Sequence, residues 1–431
     1  MSPDPVYRPP VEPRPEFFKR LFGLRKQMSW KQAFTALKYP NYRLWFWSQI
    51  VSLFGTWMES TALGFLVFDL TKSPAYLGLV GFATGVPTWL FMLYAGVIAD
   101  RVSRRTLLLI TQTSMMALAF VLAALTFLHW VQPWHVLVLA FFLGTANAFE
   151  APARQSFVLE MVSVEDMTNA IALNSAMFNT AMAVGPMAGG LVYAFFGPAW
   201  CFVVNGLSFV AVLVALKRMK LEPFAPATGR RSAWADLKEG LKYVAAHPLI
   251  RTIIGLIGIV SLFGISFVTL FPAWAVDVLH GDARTNGYLQ SARGLGALAA
   301  ALLIASLGRF RFRGKLLTVG TFALPVTASL FALSRGTPLS LILIFGSGLS
   351  LILIFNLANA LVQTHSPNAL RGRIMSVYTL VFFGLMPLGA LGVGVTAEHL
   401  GQTAAVLIGA GAMLGGATAL AVLMPHLRRQ A

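Results

Sequence analysis

Hydrophobic residues in this 431-residue chain gather into long runs separated by short polar breaks. The runs reach about 17–25 residues, the length that lets a helix cross a bilayer, and they recur along almost the whole chain. The pattern predicts twelve spans. Six are centred in Leu44–Phe68, Ala75–Ala99, Thr106–Leu128, His135–Glu150, Met167–Phe196 and Ala199–Leu216. Six more are centred in Thr252–Phe271, Gly287–Leu307, Leu316–Leu333, Pro338–Val362, Ile374–Val395 and Thr403–Leu423. The longest internal hydrophilic stretch, Lys217–Arg251, falls between the two sets. Within it Trp234, Leu237, Leu241 and Val244 recur at helical spacing while Lys238 and Lys242 lie off that stripe, which predicts an amphipathic helix resting on the inner leaflet. Trp30, Phe34 and Leu37, with Lys31 and Lys38, form a shorter version before the first span. The predicted organisation is a cytoplasmic tail over 1–42, a six-helix bundle over 43–216, a cytoplasmic linker over 217–250, a second six-helix bundle over 251–424 and a tail over 425–431.

Composition supports this reading. Charged residues make up 11% of the chain and hydrophobic residues 57%, whereas a soluble domain carries roughly a quarter of its residues as Asp, Glu, Lys or Arg. The formal charge of +17 would by itself suggest nucleic acid. Once the spans are drawn, however, almost all the Lys and Arg fall on one side. The exceptions are Lys72, Arg284 and Arg335 on the other side and Arg293 within a span. That distribution is a positive-inside signature: it predicts both termini in the cytoplasm and no nucleic-acid partner. The first 27 residues are Pro-rich and basic without an apolar core, so no cleavable signal peptide is predicted. The single Cys201 excludes an intramolecular disulfide, the seven His are scattered, and no CxxC or HExxH spacing occurs. Neither metal nor cofactor is predicted. A membrane enzyme would need clustered nucleophiles, ligands or paired acids at one depth, and is not predicted either.

The two sets of spans share sequence. Ile50-Val51-Ser52-Leu53-Phe54-Gly55 recurs as Ile259-Val260-Ser261-Leu262-Phe263-Gly264, and each copy follows a Pro-x-x-Arg tetrad, Pro40 to Arg43 and Pro248 to Arg251. Ala146-Asn147-Ala148 matches Ala358-Asn359-Ala360, and Phe178, Gly185, Gly190 and Gly197 fall on Phe382, Gly389, Gly394 and Gly401. Duplicated membrane units of this kind place a substrate site between their halves.

Between spans two and three runs Gly96-Val97-Ile98-Ala99-Asp100-Arg101-Val102-Ser103-Arg104-Arg105. This resembles the loop signature of the major facilitator superfamily, G-x-L-A-D-R-x-G-R-R/K, with Ser103 in place of the usual Gly. The resemblance implies an all-α membrane protein of twelve transmembrane helices in a 6+6 pseudo-symmetric arrangement. It also implies a cytoplasmic latch in which Asp100 faces the positive N-terminal end of the eleventh span, near Gly372 and Arg373, while Arg101, Arg104 and Arg105 hold the loop at the surface. In the second half Asp100 answers to Arg309. Gly185-Pro186-Met187-Ala188-Gly189-Gly190 resembles the superfamily's antiporter motif, with Ala176 standing for its first Gly. The stretches Asn147–Val158 and Leu370–Ser376 are similar to the enterobactin-exporter-like efflux branch. Glu150 and Arg154, one helical turn apart, with Arg371 and Arg373, are candidates for an inner charge network.

One acid falls deep within a span. Glu59 lies about 22 Å along the first span from Leu44 at ~1.5 Å per residue. Insertion scales put a charge there at about 2.5–3.5 kcal/mol, so Glu59 should face the bundle interior or a watery cavity. It is the candidate proton carrier. Arg293 has a similar depth in the eighth span, which permits either an ion pair with Glu59 or snorkelling to the outer surface. Gln49, Trp57, Asn147, Arg293 and Asn359 are candidate cavity residues.

The function implied is secondary active transport by alternating access: proton-coupled efflux of a small amphipathic molecule such as a siderophore, drug or metabolite. The protein would be a monomer in a bacterial inner membrane, with protons and lipid as its other partners. An importer or lysolipid flippase of the same fold is the alternative, and a non-transporting membrane sensor a remote one.

Overall fold

The computed structural model describes residues 34–221, 233–307 and 313–423, and all regular structure among them is helical. A 3-10 turn over Thr35–Lys38 leads into α1 (Pro40–Thr71), α2 (Pro74–Arg101), α3 (Arg104–Phe127), α4 (Pro133–Glu160), α5 (Met167–Phe196) and α6 (Pro198–Arg218). A linker helix covers Ala233–Ala246. Then follow α7 (Pro248–Val278), α8 (Ala283–Leu307), α9 (Arg313–Leu333), α10 (Thr337–His365), α11 (Arg371–Leu400) and α12 (Gln402–Leu423). Among the described residues ten helices, α1, α3, α4 and α6–α12, are long and apolar enough to cross a membrane. Proline opens many of the helices in the first turn, as Pro40, Pro74, Pro133, Pro198 and Pro338 do, because a first-turn N–H has no helical partner to lose. Gly197 and Gly401, paired by the repeat, end α5 and α11 with φ of +88° and +82°, a conformation that only glycine adopts without strain.

Helices α1–α6 pack mainly on one another: α1 lies on α5 and α6, α2 on α4, and α3 on α4 and α6. In the second set α8 and α9 lie on α10, and α12 lies on α9 and α11. The sets meet along two seams, α2 against α11 and α5 against α8. Both seams run on glycine. A Cβ built on Gly78 would stand 2.5 Å from the Ala390 carbonyl and 3.1 Å from Gly394 Cα. One built on Gly287 would stand 2.6 Å from the Pro186 carbonyl and 3.1 Å from Gly190 Cα. Backbones can come this close only where side chains are absent.

The approach is uneven along the α2–α11 seam. It is close from Gly78 to Gly85, whose Cβ would meet the Pro387 ring. At the other end, the basic end marked by Arg101, Arg104 and Arg373, no atom of the described residues lies within 4 Å of a Cβ built on Gly96 or Gly372. An apolar groove opens there, lined by Leu241 and Val244 of the linker helix, Gly255 and Gly258 of α7, and Val377 and Val381 of α11.

Two sequence expectations are corrected. The linker stripe splits: Leu237 and Val244 are buried, while Trp234 and Leu241 stay exposed. The helix seats Gly240 against the Arg373 carbonyl at the head of α11, so it docks on protein as well as facing outward. The seventh span was expected as one helix over Thr252–Phe271. Instead α7 is interrupted by π turns over Val260–Gly264 and Trp274–Val278 and a 3-10 turn over Ser266–Leu270. Its twin phrase Ile50–Gly55 lies in the unbroken α-helix of α1. The cause lies in the surroundings. Gly389 of α11 brings its backbone against the Leu262 carbonyl and Ser266 Oγ, the Ser266 hydroxyl donates to the Ser261 carbonyl (3.1 Å), and Pro272 has no N–H for the ladder.

The segment before α1 is anchored at the basic end. Tyr39 donates to Ser163 Oγ (2.7 Å) and Asp166 Oδ2 (2.8 Å), and Lys38 pairs with Asp166 (2.5 Å). The Lys38 ammonium, then the Tyr39 hydroxyl, hold the Asp166 carboxyl below the usual carboxylate range. The shorter amphipathic segment predicted around Trp30 and Lys31 lies outside the described residues; Phe34 is exposed, and Leu37 packs on the first-half core.

Packing at these glycines predicts stability. A Cβ on Gly144 of α4 would stand 2.0 Å from the Thr84 carbonyl of α2, so Gly144→Val should cost on the order of 1–3 kcal/mol and lower the unfolding temperature in detergent. Gly415→Ala, with open space around it, should leave that temperature unchanged or slightly raised.

Candidate functional site

Gly55 determines how α1 and α6 meet. A Cβ there would lie 2.7 Å from both Asn205 Oδ1 and Ser208 Oγ of α6, so only glycine lets α6 settle at this distance. The close approach brings the Asn205 amide onto Glu59, one turn along α1, and Asn205 Nδ2 donates to Glu59 Oε2. The Ser208 hydroxyl reaches Asn205 Oδ1 (3.1 Å) and fixes the amide from behind. Glu59 is buried, with Leu63, Leu118, Leu122, Val136 and Leu139 walling its other sides. The acid therefore occupies the interior of the first helix set, among α1, α3, α4 and α6. An amide N–H can donate to a carboxyl oxygen whether or not the group carries its proton, so this partner suits both forms of the acid.

The ion pair that depth alone would permit does not form. Glu59 has turned to Asn205, and Arg293 sits where α8 packs on α10, its backbone carbonyl against Gly348. Arg293 Nε is buried without a hydrogen-bond partner.

The other cavity candidates are scattered. Gln49 is buried with Nε2 unpartnered, Asn147 is exposed, and Asn359 accepts from Gln363 (2.6 Å). Trp57 stands edge-on to Phe178 of α5. Its Cβ would be 2.7 Å from one on Gly185, which ties Trp57 to the antiporter-like stretch. That stretch does two jobs. Gly185 and Gly189 admit α1, Gly189 lying against the Met58 carbonyl, while Gly190 admits α8. Beside Pro186, which breaks the ladder, the Met187 N–H donates to Ser291 Oγ of α8 (2.9 Å). A second bond between the sets runs from Asn286 Nδ2 of α8 to the Thr61 carbonyl of α1 (3.3 Å).

At the basic end the arginines have specific partners. Arg104 pairs with Glu160 of α4, and Arg105 Nη2 donates to the Lys217 carbonyl (2.8 Å). Glu150 is buried and accepts from Gln112 Nε2 (2.9 Å), with Arg154 at 4.0 Å. Arg101 and Arg371 are exposed. The Asp100 side chain and Arg309 lie outside the described residues. Arg373, the expected neighbour of Asp100, is held by the linker helix: Nε bonds Asp236 (2.9 Å) and Nη1 bonds Glu239 (2.5 Å).

Sequence reasoning passed over Asn205, Gln112, Glu160, Asp236, Glu239, Asn286 and Ser291. A lone amide in an apolar span was a usable signal for Asn205. Two acids three residues apart beside an amphipathic stripe were one for Asp236 and Glu239.

The chain is similar to proteins of known activity over most of its length. It is 24% identical to the staphyloferrin A transporter of Staphylococcus aureus over 83% of this chain and 90% of that one. It is 27% identical to the multidrug efflux pump Tap of Mycolicibacterium fortuitum over 87% and 93%, and to the enterobactin exporter EntS of Escherichia coli over 90% and 89%. In three dimensions it superposes on a POT family transporter solved with 5-aminolevulinic acid at a TM-score of 0.70, covering 90% of this chain and 96% of that one at 11% identity, a likeness of fold. Matched over residues 31–430, the chain belongs to the transmembrane secretion effector family, multi-pass transporters of the major facilitator superfamily.

Proposed function

We propose that this transporter is a proton-coupled exporter of a small amphipathic molecule, such as a siderophore, drug or metabolite, working by alternating access in a bacterial inner membrane. The observation that carries the reading is Glu59: a buried acid, apolar on most sides, whose hydrogen-bond partner Asn205 accommodates it with or without a proton. An acid inside the bilayer is kept only at a cost, and proton coupling supplies a reason to keep it. The names of the relatives, an exporter and an efflux pump among them, support export.

In this reading α1–α12 all cross the bilayer as two sets of six, the chain acts as a monomer, and both termini lie with the basic end in the cytoplasm. The arrangement described here then faces inward, since the α2–α11 seam is close at the far end and parted at the basic end. Rocking the sets together at the basic end would bring the Asp100 loop to the head of α11 as a latch. Arg373 would have to leave Asp236 and Glu239 to take part.

Two measurements test the reading. In proteoliposomes with an imposed pH gradient, wild-type protein should accumulate cargo against its gradient, and Glu59→Gln should fall to the gradient-free control while still exchanging cargo downhill. Flux insensitive to the gradient, or unaltered coupling in Glu59→Gln, would remove the proton role. The Asn205 contact is checked by stability: Asn205→Leu strands the acid and should cost about 1–3 kcal/mol, and adding Glu59→Leu should recover much of that loss.

A further inference from the structure

At the far end of the α2–α11 seam an acid of the second set closes onto a helix of the first. Ser73 is the N-cap of α2, and its hydroxyl accepts from the Tyr76 N–H (3.2 Å). The same hydroxyl donates to Glu398 Oε2 of α11 (2.8 Å), and the Ala75 N–H donates to that oxygen as well (3.2 Å). Glu398 thus completes the cap of α2 from across the seam, placing a carboxylate on the positive end of the helix, where it is favoured. One turn inward, Gly78 and Gly394 bring the two backbones together, a Cβ on Gly394 coming within 2.7 Å of the Pro74 carbonyl and 2.9 Å of Gly78 Cα. At the opposite end of the same two helices no atom of the described residues comes within 4 Å of a Cβ built on Gly96 or Gly372, and Arg373 is engaged by the linker helix.

The geometry points to Glu398 as the far-end latch of the transport cycle. Its carboxylate holds α2 and α11 together while the basic end is parted, and it must release Ser73 and Ala75 before the far end can open. This inference rests on the alternating-access reading and adds a positioning residue to it. The seam then carries acid-to-helix-start contacts at both ends with opposite polarity. Glu398 at the end of α11 serves the start of α2, and Asp100 at the end of α2 would serve the start of α11. The same two helices can satisfy one contact or the other as the sets rock, and each contact favours the state that breaks its counterpart.

The test uses the full chain in sealed proteoliposomes, with Cys201→Ser as background and spin labels on cysteines at Lys72 and Leu400, both exposed near the latch. Electron–electron distance measurements read the far-end spacing. Glu398→Ala should raise the population of the longer distance roughly threefold to tenfold, the range set by loss of a charged helix cap. Ser73→Ala should move it in the same direction, and the double variant should add little to Glu398→Ala. Glu398→Gln, which keeps an oxygen acceptor but loses the charge, should fall between. Distributions in Glu398→Ala and Ser73→Ala that superimpose on the parent, in a parent that populates both distances, would overturn the latch and leave alternating access standing. A parent fixed at one distance under both orientations of a pH gradient would overturn alternating access, and the latch with it.

Discussion

Lipid gives helices no hydrophobic reason to associate, because hydrocarbon tails are as apolar as leucine. Two sets of helices stay together in a bilayer only through close contact and a few polar bonds, and this constraint orders the rest of the molecule. It explains why the seams run on Gly78 against Gly394 and Gly190 against Gly287. It also gives weight to the specific polar bonds between the sets among the described residues: Met187 to Ser291, Asn286 to Thr61, and Ser73 and Ala75 to Glu398. A seam built from shape can part and re-form without exposing a large surface that water or lipid would resist. The same logic acts within the first set, where Gly55 admits α6 and so decides that Glu59 meets an amide and not a distant arginine.

Much of this was legible in the sequence because the signals are local. A run of apolar residues predicts a span by length alone, and a Pro-x-x-Arg tetrad or a Gly at a helix end marks its limits. The matched Gly197 and Gly401 do end α5 and α11 in the left-handed region. What could not be read depended on a neighbour across space. Depth along a helix placed Glu59 and Arg293 at similar levels but said nothing about the face each presents, and the structure turns Glu59 to Asn205 of α6 while Arg293 lies where α8 packs on α10. Arg373 was assigned to Asp100 because the sequence motif names that contact. The linker helix competes for it with two acids that no motif mentions.

The basic end shows how a tether becomes part of a mechanism. A linker that only joined two bundles would have no need to bury Leu237 and Val244 or to bring Gly240 against the head of α11. By doing so it holds a guanidinium that the resemblance had given to another partner. Exposed ion pairs contribute little to stability, but Arg373 is partly enclosed and bonded twice, which makes the contact a directional one.

The repeated Ile-Val-Ser-Leu-Phe-Gly phrase is an α-helix in α1 and passes into a π turn in α7. The residues of the phrase are identical in the two copies, so whatever separates them belongs to the flanking residues and the packing around each. The molecule thereby contains its own matched control. Any residue exchange in the phrase can be made at either copy of one chain, and the difference between the two results reads the influence of flanking residues and tertiary surroundings on helix geometry, with the intrinsic preference of the exchanged residue cancelled out.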